Sequence, residues 1–291
     1  MADIRRVGIL SPGDMGSGIG LVLHANSLDV LTCLEGRSAL SRLRAQEAGF
    51  RDVPSLDDLV RESDMILSVL VPAEATPIAE SVAAAMRRTG ATPVYVECNA
   101  IAPQTVLAIE TTIRSAGATF IDAGIIGGPP RIGYSPNFEA SGPDTAPVEV
   151  LRNYGINVKV VGTRIGQASG LKMMYAASTK GTTALWTEIM VAARALGLEE
   201  ALRQEWGENN ATARSQMNGL PNMPNRARRW VGEMEEIAAT FAGVGLTPRI
   251  LEGAADIYRF VGETPLADQT TREPNPTLDH MLDVLASRLR E

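Results

Sequence analysis

The hydrophobic pattern of the chain changes near residue 162, and this change limits the folds open to it. Before that point, short apolar runs alternate with stretches of helical periodicity. Strands are predicted at 6–10, 30–34, 65–71, 94–98, 119–122 and 158–161. Helices are predicted between them at 15–25, 39–48, 56–61, 73–88, 103–116 and 146–153. Near-continuous apolar strands joined by helices predict an α/β Rossmann architecture, a doubly wound parallel sheet.

After residue 162 the pattern is helical to the end of the chain. Residues 165–196 predict one long helix, roughly 48 Å in length at 1.5 Å per residue. We therefore expect a Rossmann domain over residues 1–162. An all-α domain should follow over residues 163–291, beginning with this long interdomain helix. The apolar positions of the helix exceed what one small domain can cover, so we expect a homodimer formed through the helical half.

Composition excludes several classes of protein. The 291 residues are 45% hydrophobic and 21% charged, which excludes a disordered chain. The net charge of −7 argues against a nucleic-acid partner. No apolar run approaches the ~18–20 residues of a transmembrane helix, and the sequence begins without a signal-peptide pattern. We therefore expect a cytoplasmic protein without a membrane partner.

The cysteines and histidines are few and scattered along the chain. Cys33 and Cys98 both lie in apolar runs, and the only histidines are His24 and His280. The number and spacing of these residues predict reduced thiols and no metal site.

The first predicted strand runs directly into a glycine turn and then into a helix. This order of elements binds the pyrophosphate of a dinucleotide at the helix N-terminus. Gly13 would let the phosphates approach the backbone, and Gly16 would let the helix pack closely on the strand. The alternative is an ordinary tight turn between a strand and a helix. The predicted cofactor-binding residues of the turn are Ser11, Pro12, Gly13, Asp14, Met15 and Gly16.

The end of the second predicted strand carries conflicting signals about the nucleotide. Glu35 follows Gly13 by 22 residues, near the usual place for an acid that binds the ribose hydroxyls of NAD. Arg37 and Ser38 instead suit the 2′-phosphate of NADP, because a guanidinium matches the geometry of a phosphate. Their alternative role is a solvated helix start with Ser38 as N-cap. We expect NADP to be preferred and NAD to be the other candidate.

Taken in order, these motifs resemble those of the β-hydroxyacid dehydrogenases, the superfamily of 6-phosphogluconate and 3-hydroxyisobutyrate dehydrogenases. The family's Gly-Leu-Gly-x-Met-Gly turn is matched by residues 11–16, its Asn-Arg-Thr by residues 36–38, and its proline-ended strand by residues 63–72. Residues 97–103 match Asp-x-Ser-Thr-x-x-Pro loosely, and residues 122–128 match the substrate motif Asp-Ala-Pro-Val-Ser-Gly-Gly. The resemblance covers residues 5 to about 180.

The resemblance implies a catalytic role for Lys172. In the family motif Gly-x-x-Gly-x-Gly-x-x-x-Lys-x-x-Asn, Gly166 keeps the middle glycine, whereas Ala168 and Tyr175 replace the third glycine and the asparagine. Lys172 would act as general acid and base, since an ammonium can stabilise and protonate a developing alkoxide. Its alternative role is a solvated helix lysine, and that of Tyr175 is core packing.

The resemblance also implies the remaining contacts. Val69, Leu70, Val71 and Asn99 would contact the cofactor. The predicted substrate contacts are Asn99, Ile126, Gly127, Gly128, Tyr175 and Thr179. Tyr175 and Thr179 are included because they follow Lys172 by three and seven residues, which places them on one face of an α-helix.

These implications favour an NAD(P)-dependent oxidoreductase that transfers hydride between nicotinamide and a hydroxyacid or alcohol, or its carbonyl form. One alternative is an NADPH-dependent imine reductase on the same fold, against which the retained lysine counts. The other is a non-catalytic NAD(P)-binding sensor. The helical half is a variant of the family's, since residues 228–236 are rich in acids where the family has Lys-Asp-Leu.

Overall fold

The structure is a computed structural model, and it describes residues 4–207, 209–269 and 273–289. The chain forms two compact units, Met1–Met174 and Tyr175–Glu291. The division lies after Met174 rather than near residue 162, because the first turn of the helix that begins at Gln167 is hydrogen-bonded to the sheet. None of the described helices is long and apolar enough to cross a membrane.

The first unit is built on one sheet. Its strands are β1 Arg6–Ile9, β2 Asp29–Thr32, β3 Arg51–Asp52, β4 Met65–Ser68, β5 Val94–Glu97, β6 Phe120–Ile126, β7 Asn137–Ser141 and β8 Asn157–Gly162. Their order is β3-β2-β1-β4-β5-β6-β7-β8. All neighbouring pairs are parallel except β6 and β7. The predicted parallel Rossmann sheet is therefore confirmed, with one reversal near its edge.

Helices cover both faces of this sheet. They are α1 Asp14–Ala25, α2 Ala39–Glu47, α3 Leu56–Glu62, α4 Ala75–Thr89, α5 Pro103–Arg114, α6 Ala146–Glu149 and α7 Gln167–Ala176. One apolar cluster buries Ile19 of α1 against the sheet. Another buries Val82 of α4 and Ile109 of α5. Burial on both faces explains why the strands read as continuous apolar runs.

The described residues of the second unit contain helices and no strand. The helices are α8 Thr182–Leu196, α9 Glu199–Trp206, α10 Ala211–Gly219, α11 Ala227–Gly243, α12 Arg249–Gly262 and α13 Leu278–Arg288. The predicted all-α second half is confirmed for these residues. The predicted long helix is continuous from Gln167 to Leu196, but the segment Ala177–Gly181 is π-helical.

Candidate functional site

The glycine turn at the end of β1 has the shape that a pyrophosphate needs. Helix α1 begins at Asp14, so its first free N–H groups face the turn. A Cβ built on Gly13 would meet no atom within 4 Å, so the space beside its backbone is open. A Cβ on Gly16 would lie 2.0 Å from the carbonyl oxygen of Ser11, so only glycine fits there. These residues fit a dinucleotide, as the sequence predicts.

Asp14 puts a negative charge in the first turn of α1, where a phosphate would lie. Its carboxylate forms an ion pair with Arg44 of α2. This pair offsets the repulsion that an uncompensated carboxylate would exert on a bound pyrophosphate.

A small cavity lies at the end of β2, beside the glycine turn. Its volume is about 180 Å³, and it is lined by Leu10, Cys33, Glu35, Arg37, Leu56, Leu59 and Ile78. Arg37 Nη2 donates to the Leu10 carbonyl at 2.9 Å, which holds the guanidinium at this cavity. Ser38 is the N-cap of α2, and its hydroxyl accepts from the Ser41 N–H at 3.2 Å. Arg42, which sequence reasoning missed, donates to the Leu34 carbonyl at 2.6 Å.

Asn99 links the carboxyl ends of β4 and β5. Its Oδ1 accepts from the Leu70 N–H, and its Nδ2 donates to the Ser68 hydroxyl at 2.9 Å. Val69 is buried, whereas Val71 is 46% exposed. The structure therefore brings Asn99 together with residues 69–71 at the carboxyl ends of the strands. Here the chain order reverses between β1 and β4, and Rossmann folds bind their ligands at such a point.

Lys172 reaches the same edge from α7. Its Nζ donates to the carbonyl oxygen of Cys98 at 3.3 Å, one residue before Asn99. Helix α7 packs closely on β6 at this point, since a Cβ on Gly124 would lie 3.0 Å from the Lys172 Cβ and 2.8 Å from the Ala168 carbonyl oxygen. The half-buried ammonium is thus held beside the predicted cofactor contacts.

Asp122 fixes the start of α7 and thereby the position of Lys172. Its Oδ2 accepts from the N–H groups of Gly166, Ala168 and Ser169 at 2.9, 3.1 and 3.2 Å. The hydroxyls of Ser141 and Ser169 also donate to this carboxylate, the former at 2.9 Å. Burial raises the pKa of Asp122, and these donors oppose the rise. The aspartate that begins the predicted substrate motif is therefore a helix cap.

The other residues of that motif lie at the end of β6. Ile126 is the last residue of the strand and pairs with Asn137 of β7. Gly127 has φ +133°, and a Cβ there would lie 2.8 Å from Pro136 Cβ. Gly127 and Gly128 are both exposed. Gly127 is thus required by the turn itself, while binding of a substrate carboxylate by these glycines stays a prediction.

Comparison with known proteins decides the family. Residues 6–181 match the NAD-binding domain of 6-phosphogluconate dehydrogenase. The chain belongs to this family. Residues 193–261, in the helical half, match a domain of unknown function, DUF1932. The resemblance that the sequence motifs carried is therefore confirmed.

Solved structures with this fold include proteins of different activities. The conserved protein MTH1747, described as of unknown function and structurally similar to 3-hydroxyacid dehydrogenases, is 31% identical (TM-score 0.67; 88% of this chain and 97% of that one). The 3-hydroxyisobutyrate dehydrogenase of Mycobacterium tuberculosis is 18% identical (TM-score 0.69; 97% and 99%). An imine reductase from Myxococcus stipitatus, solved with NADP⁺, is also 18% identical (TM-score 0.52; 89% and 93%).

In this member of the 6-phosphogluconate dehydrogenase family, Tyr175 and Thr179 belong to the second unit. Tyr175 is 51% exposed, so it is not a core residue there. The Thr179 hydroxyl donates to the carbonyls of Tyr175 and Ala176 at 3.2 and 3.3 Å. The prediction that Thr179 shares a helix face with Lys172 assumed a regular α-helical period. The π-helical segment interrupts this period before Thr179, so the spacing does not place Thr179 on that face.

Lys180, eight residues after Lys172, has a structural environment. Its Nζ lies 2.5 Å from Glu233 Oε2 and 5.5 Å from the centre of the Trp230 ring. Its carbonyl oxygen, in the π-helical segment, accepts from the Tyr258 hydroxyl at 2.6 Å. The partly buried ion pair and the tyrosine tie the long helix to α11 and α12.

Sequence reasoning missed one buried acid, Glu97, at the end of β5. Its side chain is fully buried. Burial raises its pKa to about 8, because the ionised carboxylate would lose its hydration, and the hydrogen bond from the Asn99 N–H opposes part of that rise. The available signal was a single acidic residue inside the apolar run 94–98.

Proposed function

We propose that the protein is an NAD(P)-dependent oxidoreductase that interconverts a hydroxyacid or alcohol and its carbonyl form, with Lys172 as general acid and base. The observation that carries this proposal is the position of Lys172 Nζ, 3.3 Å from the Cys98 carbonyl, beside Asn99 and residues 69–71. Nicotinamide supplies or accepts the hydride when it is bound.

The residues of the chain supply the remaining chemistry. The free N–H groups of α1 and the open space beside Gly13 would hold the pyrophosphate. During reduction, Lys172 would stabilise the negative charge that develops on the carbonyl oxygen and then donate its proton to it. During oxidation, the neutral amine would accept the hydroxyl proton. Asn99 would orient the substrate or the nicotinamide ribose through its side-chain amide. The bound ligand would replace either the Leu70 N–H at Oδ1 or the Ser68 hydroxyl at Nδ2.

Imine reduction is the second candidate function, because imine reductases with bound NADP⁺ have this fold. Lys172 argues against it, because carbonyl reduction forms an alkoxide, and this is the product that most needs the proton of a lysine. Incubation of the protein and NADPH with short 3-oxo acids, aldehydes and cyclic imines distinguishes the candidates. We expect oxidation of NADPH with a carbonyl compound. Oxidation with imines only favours the second candidate, and tight cofactor binding without turnover favours a sensor.

We expect NADP(H) to bind more tightly than NAD(H), because the Arg37 guanidinium lies at the cavity where a 2′-phosphate would be. Replacing Arg37 by alanine should weaken NADP⁺ binding by about 10- to 100-fold, which is what a charged hydrogen bond to the 2′-phosphate would contribute to affinity. The same change should alter NAD⁺ binding little. Calorimetric titration with both cofactors measures this, with Arg114→Ala on α5 as a matched control. Tighter NAD⁺ binding by the wild type would instead assign the ribose hydroxyls to Glu35.

We also propose that the protein is a homodimer, formed by one face of α8 and α12 in the second unit. An open cavity of about 460 Å³ lies there, bordered by Leu185 and Ile250, which are 55% and 76% exposed. Glu188 and Arg249 also line it and are exposed. In the proposed two-fold dimer, Glu188 of each copy pairs with Arg249 of the other, and the apolar side chains are covered.

Charge reversal tests this face. Glu188→Arg should shift the protein toward monomer by placing like charges together, and adding Arg249→Glu should restore the dimer. Ile250→Glu should also give monomer, since it would bury a charge in the interface. Light scattering at micromolar concentration measures the mass. A monomeric wild type, or a dimer that neither Glu188→Arg nor Ile250→Glu disrupts, would contradict the proposed interface.

A further inference from the structure

One peptide bond connects the buried acid Glu97 to Lys172. The peptide between Cys98 and Asn99 donates its N–H to Glu97 Oε1 at 2.8 Å. Its carbonyl oxygen accepts from Lys172 Nζ at 3.3 Å. Acid, peptide and ammonium thus form one chain of hydrogen bonds, in which each bond polarises the next.

The surroundings of Glu97 make its charge effective. Its side chain is fully buried, so its field is weakly screened. The groups around it are Tyr95 of β5, Cys98 just after that strand, Ser68 of β4, Asp122 of β6 and Lys172 of α7. Burial raises the pKa of both Tyr95 and Cys98, so these two stay neutral when Glu97 ionises. Lys172 is the cation among these groups.

We propose that Glu97 is a positioning residue for Lys172: it orients the Cys98–Asn99 peptide that receives the ammonium, and its ionised form keeps the proton on Lys172. The effect on Lys172 follows from electrostatics alone. Its catalytic meaning rests on the proposed role of Lys172 as acid and base.

The charge of Glu97 determines whether the site favours reduction or oxidation. Above about pH 8 Glu97 is ionised, and its negative charge stabilises the ammonium of Lys172. Lys172 therefore releases its proton at higher pH than it would beside a neutral residue. A lysine that keeps its proton is a donor, so the pair favours reduction of a carbonyl over oxidation of an alcohol at alkaline pH.

The scarcity of lysine permits a direct test. The chain has three lysines, Lys159, Lys172 and Lys180, so labelling lysine with ¹³C at Cε gives few signals, which single Lys→Arg variants assign. In Glu97→Gln the titration midpoint of Lys172 should fall by about one pH unit, while the exposed Lys159 and the paired Lys180 should not move. An unchanged Lys172 midpoint in a folded Glu97→Gln variant would overturn the proposal.

A second variant keeps the test valid if Glu97→Gln does not fold. Folding raises the pKa of Glu97, so its protonated form is favoured in the folded protein. Its contribution to the free energy of unfolding is therefore complete below about pH 4.5 and is lost as pH rises to about 8. Lys172 lowers the pKa of Glu97, so in Lys172→Met this loss should extend to higher pH by about one unit. Urea unfolding from about pH 5 to about pH 10 measures it. Identical pH dependence in wild type and variant would overturn the coupling.

The two proposals fail separately. A shifted Lys172 midpoint together with full turnover by Lys172→Ala would keep the coupling and refute the catalytic role. An unshifted midpoint with turnover lost in Lys172→Ala would refute the role of Glu97 alone.

Discussion

Replacing Lys172 by alanine is expected to reduce turnover by about 10²–10⁴-fold and to leave cofactor affinity nearly unchanged. The ammonium would act on the substrate oxygen, whereas the phosphates would be held by the turn around Gly13. The exposed Lys159 provides the matched control, since Lys159→Ala removes a lysine from the same unit without touching this edge of the sheet. Steady-state rates and calorimetric cofactor titrations measure both effects.

Two further lysine variants sharpen this prediction. Arginine at position 172 should not restore activity, because a guanidinium does not release its proton in proteins. Lys180→Ala should reduce turnover much less, although loss of its pair with Glu233 should lower the unfolding temperature. The rate of oxidation should rise with pH as Lys172 loses its proton, and this rise should vanish in Lys172→Ala. Full activity of Lys172→Ala would instead require the proton to come from Tyr175 or water.

Replacing Gly13 by valine is expected to weaken NADP⁺ and NAD⁺ binding by about 100-fold or more, because the side chain would occupy the space that the pyrophosphate needs. The fold should survive, since a Cβ on Gly13 meets no atom within 4 Å and the residue has φ −70°. Calorimetry measures binding, and thermal unfolding verifies the fold.

Gly16→Val is the contrasting variant of the same turn. Its Cβ would lie 2.0 Å from the Ser11 carbonyl, so it should lower the unfolding temperature as well as binding. Unchanged nucleotide binding by a folded Gly13→Val variant would refute the pyrophosphate site.

The sequence was sufficient for the elements whose patterns are local. The β1 strand, the glycine turn and α1 follow one another as predicted. Apolar residues, glycines and helix-forming residues determine such elements through neighbours only a few positions away in the sequence. Strand β7 was missed because Asn-Phe-Glu-Ala-Ser contains polar residues and follows a proline- and glycine-rich turn. It is a strand because β6 and β8 flank it and bury it, which is tertiary information.

The candidate site divides in the same way. Lys172, Asn99 and residues 69–71 were predicted from motifs, and the structure brings them together. The cap that Asp122 forms on α7 joins residues 44 to 47 positions apart, and no sequence spacing specifies such contacts. The π-helical segment Ala177–Gly181 has no local signature either, so the predicted face of Thr179 assumed a regular helix.

The most direct measurement follows deuterium from nicotinamide C4 of labelled NADPH into product, with wild type, Lys159→Ala and Lys172→Ala. The substrates are short 3-oxo acids and aldehydes beside cyclic imines. We predict that wild type and Lys159→Ala place deuterium on the carbon of a new alcohol, and that Lys172→Ala does so at least ~100-fold more slowly. Equal transfer by Lys172→Ala, or transfer to imines alone, would contradict a lysine-dependent carbonyl reductase.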